Sequence, residues 1–436
     1  MKKLRRLIVI SVLAALLSGC VLVPDGSGKL TYEENVEKQD VFGAGRKGEV
    51  VTLTPATGYE EPVVVEEAAY ALRDNPRLYN ELMEHREECG VNEETIAAEF
   101  SEESGNYMFD HMPQQLRRIY AEVYLILLGH GENVLISTTD PDELYTAFHC
   151  VFQDHPELFW IDGYSYRRYG NSSGKTGYLT FSGKYIYNAH ECELMQDSVE
   201  DYAVRCRATL PAGAGDYEKV KHVYEMIIDN TDYVIGADNN QNILSVFLSG
   251  RSVCQGYAKA VQYLLKDLGV DCTMVVGRVS GGEGHAWDLV VIDGEYYYLD
   301  ATWGDSGYLA SGGRERNNNG EINYNYLNIT GAEISLTHTG DNVVEMPDCA
   351  ATEANYYVRE GFFLEAWDPV RVKDFFSDSV NAGARSVSFK CADREIFETA
   401  KEELLTNREV FTMLPDDAAA IDYSADEGML VLSFWF

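Results

Sequence analysis

Ser252-Val253-Cys254-Gln255-Gly256-Tyr257-Ala258, Gly284-His285-Ala286-Trp287 and Tyr297-Tyr298-Leu299-Asp300-Ala301-Thr302-Trp303 are three blocks within residues 252–303 that decide how the chain reads. Cysteine, histidine and aspartate in that order can supply a thiol nucleophile, its base and the group that orients the base. Apolar residues at Ala258, Val261, Leu265 and Leu268, with Ser252 before them and Gly269 after, predict an amphipathic helix capped by Ser252. Cys254 then sits in the first turn, where orphan backbone N–H groups favour a thiolate and can hold an oxyanion. Taken alone, Cys254 reads equally as a small apolar residue continuing the buried stripe.

Geometry joins the other two blocks to it. Ala286 to Ile292 and Glu295 to Leu299 are β-prone runs separated by Asp293-Gly294, a hairpin signal. A two-residue loop sets Ile292 opposite Glu295. Extending that register sets Trp287 opposite Asp300 and His285 opposite Thr302, making His285 and Asp300 diagonal neighbours on one face.

These blocks resemble the signature segments of the transglutaminase-like superfamily. The likeness runs from about Asp216 to Thr339 and takes in Ile228-Asp229-Asn230-Thr231-Asp232-Tyr233, Leu248-Ser249-Gly250-Arg251, Asn325-Tyr326-Leu327 and Thr337-His338. It implies an α+β fold with a papain-like core, the cysteine helix packed on an antiparallel sheet, and acyl transfer from an amide to water or to an amine. It also implies Cys254 as nucleophile, His285 as base and Asp300 as orienting carboxylate. Gln241, Gln255 and Trp287 are candidate substrate or oxyanion contacts. The chain departs from many relatives at Asp288, where they have Asn, and at Ala301, where they have Pro. The hairpin count turns Asp288 away from the triad, so neither change is expected to abolish catalysis.

Outward from this centre, Lys2, Lys3, Arg5 and Arg6 precede an apolar run from Leu7 to Leu17 and then Leu17-Ser18-Gly19-Cys20. The pattern reads as a bacterial lipoprotein signal over residues 1–19 with lipid on Cys20, because the run is too short to span a bilayer. Cleavage there would take the formal net charge from -36 to -40, by loss of those four basic residues. Such a chain should avoid nucleic acid and stand off anionic surfaces.

Residues 20–60 read as a tether, and 61–153 as a helical region with segments near Val65 to Leu72, Arg77 to Glu88, Pro113 to Leu128 and Asp142 to Gln153. These segments either form a small domain or pack on the catalytic core. Residues 154–346 read as the catalytic domain, opened by a strand around Phe159 to Tyr166 and a hairpin turning at Ser182-Gly183. Ser311 to Asn323 reads as a polar insertion. Residues 347–436 alternate strand and helix and suggest a small α/β domain.

Nine cysteines without a Cys-x-x-Cys pair indicate neither a zinc site nor a dense disulfide framework. The Asp- and Asn-rich loop 232–242 lacks a calcium-loop pattern, and His155 and His190 have no spaced partners. No metal and no cofactor are therefore expected.

The sequence thus predicts a membrane-anchored, extracytoplasmic, monomeric thiol enzyme acting on peptide or protein amides, cell-wall peptide among them, with hydrolysis preferred. Protein cross-linking is the second reading. A scaffold lipoprotein with an idle triad is the third.

Overall fold

The computed structural model describes residues 51–52, 58–71, 76–170, 176–305, 308–309, 322–414 and 421–436. The leader, Cys20 and most of the 311–323 insertion lie outside them. Among the described residues no helix is long and apolar enough to cross a membrane.

Asp293 and Gly294 both take left-handed backbone angles, φ 53° and 87°, the pair a two-residue hairpin needs. Ile292 therefore pairs with Glu295, and the register continues to Asp288 opposite Leu299. This hairpin is half of a four-stranded antiparallel sheet ordered Glu295–Leu299, Gly284–Ile292, Cys272–Val279, His338–Gly340. Alternation along the His285 strand divides its side chains between two faces. Ala286, Val290 and Ile292 join the main core with Tyr257, Val261 and Leu265 of the helix Cys254–Asp267. Trp287 and Leu289 join a second core on the other side.

The cysteine helix is buried nearly all round, which marks a central rather than a surface helix. Even Lys259 is enclosed. Its ammonium lies 3.3 Å from the centre of the Phe152 ring, and burial lowers its pKa to about 7 although Glu157 opposes the shift.

The helix starts one residue later than expected. Ser252 is not its cap: Arg251–Ser252 pairs with Asp232–Tyr233 as a short parallel strand, which keeps the chain extended through Ser252. Val253 becomes the N-cap without a side-chain bond, and the Ser252 hydroxyl lies 2.6 Å from that of Ser245.

The α+β class holds, but the 61–153 region is not wholly helical. Val63–Ala71 is a strand, not the helix expected from Val65 to Leu72. It pairs parallel with Ile161–Gly170, and its Glu66 and Glu67 meet Arg168 and Arg167 of that strand. Three consecutive valines suit the pleat, and cross-strand ion pairs hold the register. The sheet continues with Thr176–Tyr185 and Val134–Ile136. Ser182-Gly183 does not turn: Ser182 pairs with Ser165 and Gly183 with Tyr164, inside one continuous strand.

The helices Pro76–Glu88, Glu93–Glu102, Tyr107–His111, Arg117–Leu128 and Pro141–Asp154 pack around this sheet. They share the main core with the cysteine helix, through Tyr120 and Phe148 among others, so they pack directly on the elements that carry Cys254 and His285.

After Pro347, strands Phe363–Leu364, Ser386–Cys391, Val431–Trp435 and Asp422–Asp426 form a mixed sheet in that spatial order. The helices Pro369–Asn381 and Arg394–Lys401 cover it over a core of Phe375, Phe376, Phe389 and Phe434. Met429 and Val431 carry this part into the second core beneath Trp287 and Trp303. The acidic strand Asp422–Asp426 had no apolar alternation to announce it.

Candidate active site

The hairpin and the helix start bring the sequence-predicted residues together. Cys254 opens its helix, His285 stands near the start of its strand and Asp300 follows the end of the next; all three are fully buried. The expected pairing beyond Leu299 does not form, because Asp300 leaves the sheet to cap the short helix Ala301–Gly304. One carboxylate oxygen accepts from the Trp303 N–H at 3.0 Å, and the other lies 2.7 Å from Nε2 of His285. This division fixes the carboxylate rotamer and assigns the Nε2 hydrogen of His285 to Asp300.

Desolvation alone would lower the pKa of His285. Interaction with Asp300, and after it with the Cys254 sulfur, outweighs it and pushes the imidazole up to about 10. Burial would raise the Asp300 carboxyl, but His285 and then His338 hold it well below the usual carboxylate range. Nδ1 of His285 is buried and has no hydrogen-bond partner of ordinary geometry. The Cys254 thiol is near enough to act on the imidazole both by charge and as a loose hydrogen-bond partner, a common looseness in an unliganded site.

His338 carries no role in the sequence reading and proves to be part of the cluster. Its Nε2 lies 3.1 Å from the Asp300 oxygen that His285 uses, and its Nδ1 is 2.8 Å from the Thr337 hydroxyl. Desolvation lowers its pKa despite Asp300, with His285 adding to the lowering. Trp287 and Trp303 wall it in, with ring centres 4.9 and 4.7 Å away. His285, Asp300 and His338 offer three donor atoms within 4.8 Å of one another, a set a divalent cation accepts. Both Nε2 atoms are already directed at one Asp300 oxygen, so hydrogen bonding accounts for the arrangement.

The sequence profile of the Transglutaminase-like superfamily matches residues 206–301. The chain carries a transglutaminase-like domain. Kyphoscoliosis peptidase of Homo sapiens is 26% identical over 105 residues, covering 20% of this chain and 16% of that protein. The Mus musculus form is 25% identical with the same coverage, so the chain spans 16% of the length of these curated relatives. A crystal structure of a TGase aligns at 14% identity and a TM-score of 0.24, covering 32% of this chain and 50% of that one.

Around Cys254, His285 and Asp300 the other candidates take distinct places. Trp287 is buried against His338. Gln255 is buried and donates to the Gln241 carbonyl at 2.9 Å, which fixes the loop ahead of the helix. Gln241 does meet a main chain: its Nε2 donates to the Gly58 carbonyl at 2.5 Å, and its Oε1 accepts from the Glu60 N–H at 3.2 Å. Residues 58–60 therefore do not belong to a free tether. Asp288 is buried on the face opposite Trp287, receives a weak contact from the Cys272 thiol at 3.7 Å, and is pushed well up by desolvation, then by Asp300. All eight cysteines among the described residues are free thiols.

Proposed function

We propose that this protein is a thiol hydrolase of amides, working through Cys254, His285 and Asp300 on a papain-like core. The observation that carries the reading is the buried Nδ1 of His285, which an Nε2 bond to Asp300 leaves to the Cys254 thiol alone. Nδ1 takes the Cys254 proton, and the thiolate sulfur bonds to the amide carbonyl carbon. The carbonyl oxygen gains negative charge, and backbone N–H groups at the uncapped helix start receive it. When the C–N bond breaks, the amine leaves with the proton from Nδ1 and a thioester remains. Water, giving its proton to the same nitrogen, releases the acid and the thiol.

The peptidase name of the curated relatives favours water over an amine as acceptor. The same proposal holds the enzyme outside the cytoplasm by lipid on Cys20, as a monomer acting on peptide or protein amides. Unfolded casein incubated with the full chain, with and without a labelled primary amine, tests the chemistry. New peptide ends with wild type and none with Cys254→Ala are expected. Label incorporation without new ends would make the protein a cross-linking enzyme, and neither product, from wild type or from any folded variant with an opened site, would remove the catalytic reading.

A further inference from the structure

A nucleophile must be reached by its substrate, yet Cys254 and His285 are fully buried. Beside them lies the chain's own segment Gly58–Glu61. Two close approaches define its seat. A Cβ at Gly58 would come within 2.6 Å of Val253 Cγ1, beside the nucleophile, and a Cβ at Gly284, beside His285, would come within 2.9 Å of the Tyr59 ring. Glycine at both positions lets the segment lie directly on the triad's neighbours.

The segment is held by its main chain. The Gly58 N–H donates to the Tyr233 hydroxyl at 2.9 Å, and the Gly58 carbonyl and Glu60 N–H both bond the side-chain amide of Gln241. A backbone hydrogen bond from Cys254 reaches the same Tyr233 hydroxyl. One glutamine amide thus serves an acceptor and a donor two residues apart, which is how an added strand is recognised independently of its side chains. Tyr59 is shielded enough that desolvation raises its hydroxyl pKa, with Glu61, Tyr145 and Cys254 adding to the rise. Both flanks are fastened: Val51–Thr52 pairs with Tyr308–Leu309, and Val63–Ala71 pairs with Ile161–Gly170.

We propose that Gly58–Glu61 occupies the triad's substrate cleft as an internal pseudosubstrate. The cleft's substrate is then an extended polypeptide, clamped through its main chain by Gln241 and Tyr233 with an aromatic side chain against Gly284. The enzyme stays slow until this segment is displaced. The inference rests on the triad being catalytic, as proposed above.

Gly58→Leu in the full chain tests it, because the new side chain has no room against Val253. Casein cleavage and iodoacetamide labelling of Cys254 should both rise about tenfold, the gain when a competent state goes from a tenth of the population to nearly all of it. Tyr59→Ala should give a smaller rise and carries the test if Gly58→Leu does not fold. A synthetic peptide of residues 55–64 should suppress the Gly58→Leu enzyme, while the same peptide with leucine for Gly58 should not. Gln241→Ala in the opened enzyme should raise KM for casein and leave kcat nearly unchanged. Equal Cys254-dependent cleavage by wild type and both variants would overturn the pseudosubstrate and leave the triad standing. No cleavage by any folded variant would overturn the triad reading, and the pseudosubstrate with it.

Discussion

His155 and His285 are both buried imidazoles whose pKa carboxylates raise to about 10 against desolvation, yet their two nitrogens are engaged differently. At His155, Nδ1 is 2.8 Å from Glu157, while Nε2 is 2.9 Å from Glu103 and 2.9 Å from the Tyr120 hydroxyl. The ring also stacks on Tyr124 at 4.1 Å between centres. Every polar atom there is engaged. At His285 one nitrogen is fixed by Asp300 and the other meets only the Cys254 thiol. Burial and a shifted pKa are common to both, so neither identifies a site by itself. A nitrogen left to a thiol, rather than to a second carboxylate, makes the difference.

The sharpest way to break this comparison is to remove each imidazole in turn. Both are buried partners of carboxylates, so both alanine variants should lower the denaturant midpoint, but only His285→Ala should also lower turnover per folded molecule, by about 10³–10⁴-fold. A loss of turnover per folded molecule at His155 would mean that the two clusters are coupled.

Next in size is Glu103→Gln, which leaves a buried imidazolium short of a partner and should cost about 3–5 kcal/mol of stability at neutral pH. His155 titrates near 10 when folded and near 6.5 when unfolded. Its stabilising contribution is therefore complete below about pH 6.5 and is lost as pH rises through about 10. Urea unfolding should show the gap between wild type and Glu103→Gln narrowing over that interval; a constant gap would mean that His155 is neutral.

The smallest effect concerns His338. Removing its bond to Asp300 with His338→Ala should lower kcat about tenfold, within the worth of one hydrogen bond to a charged group. KM should stay nearly constant, because Asp300 keeps the Trp303 N–H and His285. A change in KM alone would give His338 a structural role only.

How much of this the sequence announced depends on how local the cause was. The turn at Asp293-Gly294 sets the register to Leu299, which is why the neighbourhood of His285 and Asp300 was legible. The count fails one residue later, where the pull of a helix cap on Asp300 exceeds that of a further ladder pair. Glu66, Glu67 and the alanines after them favour helix, but the strand they join lies some hundred positions on, with Ser165 bonding Glu67 at a separation of 98. The separation is 181 residues between Glu60 and Gln241, so a polar stretch without periodicity read as tether. His338 reaches Asp300 from the far edge of the sheet; Thr337-His338 stood out only as a segment of the resemblance, with no local pattern that joins it to Asp300.

Asp300 serves two masters, and that narrows the paths by which such a protein can drift. Its two oxygens separately hold a helix start and a pair of imidazoles. Asparagine could still cap the helix while failing the imidazoles, so it offers a descendant the gentlest way to fall silent and keep its shape. Glutamate would keep the charge and misplace both oxygens, because its extra methylene moves the carboxylate away from the cap. A silent copy of this protein is therefore more readily made by losing a charge at Asp300 than by lengthening its side chain.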